Sequence, residues 1–188
     1  VTPTPDHLAA AVGRTIPDVT APDLRVLFCG INPGLVSGAL GQHFARPGNR
    51  FWKVLHAAGF TARVLLPSEQ EELLDFGIGI TNLVPSASRA AADLSAAELR
   101  AGALALQQKV AALHPANVAI LGMQAYRTAF QRPAAAAGPQ PEPLSGARLW
   151  MLPNPSGLQA RYGLSDMVVM FEELRQAAGL PRRRELAT

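Results

Sequence analysis

The chain of 188 residues has one cysteine, two lysines and four histidines, and each scarcity removes a class of function. Cys29 sits inside an apolar run, cannot form an internal disulfide or a four-cysteine cluster, and reads as a small core residue. His7, His43, His56 and His114 are scattered, without the spacing of a zinc site, and His43 reads as polar loop surface. No apolar run approaches the roughly 20 residues of a membrane span. No basic start leads into an apolar segment, so there is no signal-peptide pattern and a cytoplasmic location is expected. Familiar catalytic and nucleotide motifs are missing as well. Gly30 to Gly34 is G-x-x-x-G, not the dinucleotide fingerprint, and there is no P-loop, G-x-S-x-G elbow or H-E-x-x-H.

What is present is a globular composition. Apolar residues make up 48% of the chain, which argues against general disorder, and the length suffices for one domain with a sizeable core. The net charge is +3 and the pI about 9.6. Lys53 and Lys109 are the two lysines, so arginine supplies the other 15 of the 17 basic residues. Arginine suits phosphate contacts, and this charge permits a nucleic-acid partner without showing one.

Strand and helix signals alternate along the chain. Residues 1–22 carry four prolines and a helical pattern at His7 to Val12, and read as an N-terminal arm. Leu24 to Gly30 is a buried strand, and Ile31 to Gly48 a long glycine-bearing loop. Asn49 can cap a helix from Arg50 to about Ala58. Ser68–Glu71 reads as a capping box opening a short helix that ends near Gly77. A second strand follows at Ile78 to Leu83. A second capping box, Ser95–Glu98, opens the longest helix, with Leu99, Ala103, Leu106, Val110 and Leu113 along one face. Asn117 to Gly122 is a third strand with a helix behind it at Met123 to Phe130. Pro133 to Ser145 is an exposed loop, Ala147 to Leu152 the last strand, and Ser165 the cap of a final helix. This order predicts one domain over 1–188, a three-layer α/β/α sandwich around a mostly parallel sheet of about four strands. Residues 180–188 are expected to form a mobile tail, and the Arg182-Arg183-Arg184 run a solvated one.

The most informative stretch is Leu24 to Trp52. An apolar strand stops at Asn32-Pro33-Gly34, where Pro33 removes a backbone donor and Gly34 can take positive φ. The design recurs at RLWMLP followed by Asn154-Pro155-Ser156-Gly157-Leu158. Ligands of open α/β sheets bind outside the carboxyl ends of the strands, so two such junctions on parallel strands would converge there. Asparagine is a poor base, but its carbonyl can accept a hydrogen bond from a water and aim it. Phe44 can stack on a planar ring. Together they suit displacement at a carbon whose leaving group is a flat, stabilised anion.

Three segments carry a resemblance: Gly30-Ile31-Asn32-Pro33-Gly34, the run Phe44 to Trp52 (FARPGNRFW), and Asn154-Pro155-Ser156-Gly157-Leu158. In this order they resemble the mismatch-specific uracil-DNA glycosylases, which with the thymine-DNA glycosylases belong to the uracil-DNA glycosylase superfamily. The likeness runs from about Leu24 to Ala178 and includes Gly79-Ile80-Thr81-Asn82-Leu83. It implies hydrolysis of the N-glycosidic bond of uracil opposite guanine in double-stranded DNA, with ethenocytosine and thymine as further substrates of the family. It implies base flipping, no metal or organic cofactor, a monomer, and a bacterial-type protein associated with the nucleoid when bound to DNA. One cysteine cannot hold the iron–sulfur cluster of some superfamily branches. By the same resemblance Asn32 positions the attacking water, and Gly30, Ile31, Ser37 and Phe44 surround the base. Asn154, Ser156, Gly157, Leu158 and Arg161 meet the DNA, with Leu158 as the wedge in the vacated stack. The fastest uracil enzymes of the superfamily have a carboxylate where this chain has Asn32, which implies slow chemistry. Two departures stand out. Gln159 and Ala160 place Arg161 one position later than an arginine of relatives, and Asn82 replaces a lysine found in some.

Other readings stay open at this point. Asn32 is a weak catalytic group, so a non-catalytic mismatch-binding module fits too. So does a small-molecule α/β enzyme using the Asn-Pro-Gly turn as an anion nest. Asp93 is a further catalytic candidate, since it lies in the loop leaving the second strand and a carboxylate could stabilise a cationic sugar. The alternative is that it favours the dipole of the helix that follows.

Overall fold

Side chains alternate along a strand, and here the alternation sorts every central strand onto two buried faces. The computed structural model describes residues 2–156 and 161–183. Its elements are α1 (Pro5–Ala10), β1 (Val26–Gly30), α2 (Leu35–Leu40), α3 (Phe51–Ala57), a 3₁₀ helix (Pro67–Phe76), β2 (Ile78–Asn82), a 3₁₀ turn (Ala91–Asp93), α4 (Ala96–Leu113), β3 (Asn117–Leu121), α5 (Met123–Ala129), β4 (Gly138–Pro139), β5 (Arg148–Leu152) and α6 (Leu164–Ala177). The sheet order is β2-β1-β3-β5-β4, with all pairs parallel except β4 with β5. Val26, Phe28, Ile78, Ile80, Ala119, Leu121, Trp150 and Leu152 face one core with α3, α6 and the 3₁₀ helix. Leu27, Cys29, Val118, Ile120, Leu149 and Met151 face the other, under α4 and α5. This is the expected mixed α/β sandwich with five strands rather than about four.

The fifth strand lies inside the segment read as an exposed loop. Gly138 and Pro139 pair antiparallel with Met151 and Trp150 at the sheet edge, where a proline lacking a donor is tolerated. The supposed long loop after β1 also contains a helix, α2, which ends on Gly41 at φ 69°. Two caps differ from expectation. Glu69 Oε2 accepts the amide of the N-cap residue Leu66 at 2.7 Å, so the 3₁₀ helix starts before Ser68, which lies inside it and opens no capping box. Asp166 Oδ2 accepts the Gly163 amide at 2.8 Å, leaving Ser165 inside α6. Ser95 and Glu98 cap α4 reciprocally as read, and Asn49 Oδ1 accepts the Phe51 amide at 2.9 Å.

Both ends of the described chain are held. Val19 pairs with Ile80 through two backbone bonds of 2.8 and 2.9 Å, extending the sheet beyond β2. Arg182 meets Glu172 at 2.6 Å, and the Arg183 guanidinium lies 4.3 Å over the Phe76 ring. Arg184 lies outside the described residues.

α4 approaches the chain leaving β2 so closely that Gly102 has no room for a side chain. A Cβ there would lie 2.3 Å from the Leu83 carbonyl oxygen. Gly102→Ala is therefore expected to destabilise the fold by about 1–3 kcal/mol, a fall in Tm of roughly 2–10 °C, despite the better helix propensity of alanine. Thermal unfolding checks it, and an unchanged or higher Tm contradicts the close approach.

Candidate active site at the carboxyl edge of the sheet

Parallel register brings the strand ends to one edge. Gly30 pairs with Asn82, and Leu121 with Leu152, so Asn32 and Asn154 each stand two residues beyond their strands on the same side of the sheet. Pro33 and Pro155 are both buried, which fixes the two turns. Gly122 ends β3 where a Cβ would lie 2.7 Å from Ile31 Cδ1, so the glycine makes room for the Ile31 side chain.

The Asn32 amide is clamped through its nitrogen. Nδ2 donates to Ser88 Oγ at 2.8 Å, with Pro33 O at 3.2 Å and Ser86 O at 3.3 Å. The Ser88 hydroxyl in turn donates to Ala90 O at 2.7 Å. With the nitrogen turned inward, Oδ1 has no donor among the described residues, so a half-exposed acceptor is held in a fixed direction. Asp93 is exposed, and its Oδ2 accepts the Ala90 amide at 3.0 Å. Its carboxylate therefore connects to Asn32 through Ala90 and Ser88 and makes no hydrogen bond to Asn32.

Three groups crowd together beside Gly30. A Cβ on Gly30 would lie 2.6 Å from Asn82 Oδ1 and 3.3 Å from Phe44 Cζ, so the strand end, the Asn82 amide and the Phe44 ring converge. Phe44 is half-buried and stacks on Phe51, centroids 4.1 Å apart. Its φ of 53° is unusual for an aromatic residue and turns the ring onto that stack. Ser37 is buried, and its Oγ accepts the Ala45 amide at 3.2 Å, tying α2 to the Phe44 turn.

His43 departs from the reading as loop surface, being only 1% exposed. Its amide donates to Gln70 Oε1 at 2.8 Å, its carbonyl accepts Trp52 Nε1–H, and Nε2 lies 3.0 Å from Pro17 O. A carbonyl only accepts, so Nε2 carries the proton and Nδ1 of the neutral ring is an acceptor. Asn82 Nδ2, 3.3 Å away, donates to it, which directs Asn82 Oδ1 toward Gly30. Burial pushes the His43 pKa below its ordinary 6.5, and the bond to Pro17 and the Asp18 charge act in the opposite direction.

Arg50 braces the second loop. Its amide donates to Pro155 O at 2.9 Å, and its guanidinium donates to Ser156 O at 3.1 Å and Tyr162 O at 3.0 Å. Asn154 Oδ1 accepts the Ser156 amide at 2.9 Å and tightens the turn. Gly157 and Leu158 lie outside the described residues. Arg46, Arg89 and Arg161 are exposed on the loops of this edge and form no ion pair among the described residues.

The structure thus gathers Gly30, Ile31, Asn32, Ser37, Phe44, Asn154 and Ser156 at one edge. Sequence reasoning missed Ser88, Arg50 and the pairing of His43 with Asn82. The signals were thin: Asn82 ends a strand parallel to β1, and His43 directly precedes Phe44. A groove lined by Gln107, Tyr126, Phe130 and the 131–145 segment shares no residue with this edge. Among the described residues no cluster of histidine, cysteine or acidic side chains could hold a metal, and no helix is long and apolar enough to cross a membrane.

Fold and edge together define a mixed α/β protein whose candidate ligand site is the asparagine-led edge at the carboxyl ends of parallel strands. The chain belongs to the uracil DNA glycosylase superfamily, whose family model matches residues 17–177. Its fold is similar to the solution NMR structure of "a putative Uracil DNA glycosylase" from Methanosarcina acetivorans. The TM-score is 0.56 at 19% identity, covering 87% of this chain and 99% of that one. Membership in this superfamily suggests DNA glycosylase activity on uracil.

Two outcomes are expected from this geometry. Gly30→Ala should drive a methyl group against Asn82 and Phe44 and displace both, abolishing activity at this site with a fall in Tm of only a few degrees, and wild-type activity in that variant contradicts a site at this strand end. The His43 ring should be more than half neutral at pH 6.5, where a free imidazole is half protonated. Because the folded pKa is depressed, the stability His43 contributes is complete above 6.5 and is lost as pH falls from there through the folded value. An NMR titration of the ring checks this, and a pKa at or above 6.5 contradicts it.

Proposed function

We propose that this chain is a monofunctional DNA glycosylase that hydrolyses the N-glycosidic bond of uracil opposite guanine in double-stranded DNA and leaves an abasic site. The observation that carries this reading is the clamped Asn32 amide, whose Oδ1 has no donor among the described residues and which stands two residues beyond Gly30, where Asn82 and Phe44 converge. A base inside a duplex is out of reach and must be flipped at a cost of a few kcal/mol. The G·U wobble is weaker than a Watson–Crick pair, so part of the mismatch preference follows from that cost. Leu158 fills the vacated stack as an apolar wedge, and Gly157 brings backbone to the unpaired guanine. Arg46, Arg89 and Arg161 meet phosphates.

In the pocket the flipped uracil lies against Phe44, a contact worth about 1–3 kcal/mol for such stacking. Asn82 Oδ1 is an acceptor held by His43 and suits the N3–H of uracil. Asn32 Oδ1 accepts a hydrogen bond from a water and aims its oxygen at C1′. The C1′–N1 bond breaks, its electron pair leaves with the base and spreads over N1 and the carbonyl oxygens, and the water oxygen bonds to C1′ and loses a proton to solvent. Asn32 takes no proton itself, so the rate depends on how stable the departing anion is. This favours slow chemistry and a range of lesions that includes ethenocytosine and thymine. Asp93 supports the reaction by holding the Ala90 amide of the loop that carries Ser88.

Asn32→Ala is the direct test. Single-turnover uracil release from a G·U duplex should fall about hundredfold, equivalent to about 2.7 kcal/mol, while duplex affinity stays within about twofold. An unchanged rate removes Asn32 from the mechanism.

A further inference from the structure

The N-terminal arm meets the site at three points. Along residues 13–15 it runs beside the loop that clamps Asn32. The Gly13 amide donates to Ala87 O at 2.8 Å, the Ala87 amide donates to Arg14 O at 2.8 Å, and Thr15 bridges to Ser86. Ser86 O and Ser88 Oγ, on either side of Ala87, are acceptors for the Asn32 amide. Two residues further on, Pro17 O fixes the His43 tautomer and, through it, Asn82. Asp18 then binds both Lys109 on α4 and the Thr81 hydroxyl, the latter at 2.7 Å. Lys109 Nζ also donates to Thr81 Oγ1 at 2.7 Å, closing a triangle one residue before Asn82. The two charged side chains are 31% and 29% exposed, so the pair is partly shielded from water.

The loop is also fastened to the turn after β1, where the Ser88 amide donates to Pro33 O at 3.1 Å and Ser88 bridges to Gly34. Val19 is fastened to β2, but residues 13–15 face a turn-rich loop with no regular structure of its own before Ala91. α2 presses on the same loop from the other side, where a Cβ on Gly38 would lie 2.8 Å from Ala87 Cβ and 3.3 Å from Ala11 O. The loop is thus gripped between the arm and α2, and the arm is anchored by Asp18.

We propose that the arm segment Gly13–Val19, locked by the Asp18–Lys109 ion pair, is a positioning element of the active site that fixes the Asn32 amide through the Ser86–Ser88 loop. The structural part stands on the contacts alone, and its consequence for rate rests on the glycosylase reading above. Asp18 and Lys109 touch no reacting atom and act through Asn32.

The test compares Asp18→Ala with Arg182→Ala, which removes an ion pair remote from this edge. Lys109→Met serves if Asp18→Ala does not fold. The first readout is NMR exchange of the Asn32 side-chain NH₂ and the Ala87 amide with solvent. Both should exchange at least tenfold faster in Asp18→Ala and be unchanged in Arg182→Ala, and unchanged exchange in Asp18→Ala overturns the proposal. The second readout is single-turnover uracil release at saturating enzyme. It should fall about tenfold in Asp18→Ala with duplex affinity within twofold, and Asp18→Ala should add nothing in an Asn32→Ala background. A loss that adds in full to that of Asn32→Ala overturns action through Asn32. Faster exchange in Asp18→Ala, with a wild-type protein that releases no uracil from any duplex, upholds the arm as a positioning element and refutes the glycosylase reading instead.

Discussion

The direction of one amide sets what this edge can do. An asparagine carbonyl that rotates freely gives a water no address, whereas one whose nitrogen is held by Ser88 Oγ and the Ser86 and Pro33 carbonyls presents its oxygen one way. Every nearby feature serves that constraint. The parallel register delivers Asn32 and Asn82 to the same side, buried Pro33 stiffens the turn, and the chain after β2 returns to β1 through the Leu83 and Val84 amides on Gly30 O and Ile31 O.

The stacking surface depends on the core in the same way. Phe44 lies on Phe51, Phe51 meets the edge of Phe28, and Phe28 stacks on Phe171 of α6 at 5.4 Å. The Phe44 ring is thus the outermost member of an aromatic series running through the sheet face. Such close packing resists displacement, which suits a surface against which a planar base is to lie. His43 completes the arrangement, since its buried neutral ring fixes Asn82 while its carbonyl anchors Trp52 beside Phe51.

Much of the sandwich was legible because its signals are local. Apolar runs of strand length, the Ser95–Glu98 box and the apolar stripe of α4 each specify structure without knowledge of neighbours. The features missed are those that only tertiary contact defines. β4 is two residues long and proline-bearing, so pairing with β5 rather than propensity makes it a strand. α2 is hidden in a glycine-bearing segment whose helix is held by packing of Ser37 and Gly38. Asn32, Phe44 and Asn154 could be singled out because each sits at a strand end or in a motif. Ser88 and Asp18 lie 56 and 63 residues from the partners that give them meaning, Asn32 and Thr81, and no spacing rule joins such pairs. His43 was misjudged because a histidine among polar and glycine residues gives no sign of burial; its cover comes from the arm and from Gln70.

Water positioning by a neutral amide, at a site reached only by a flipped base, is the centre of the proposed function. Time-resolved release of uracil at saturating enzyme, from one duplex sequence carrying G·U or A·U and from the single strand, tests it most directly. Release from the G·U duplex is predicted to be at least tenfold faster than from A·U. No release above the enzyme-free background from any of the three substrates would contradict it.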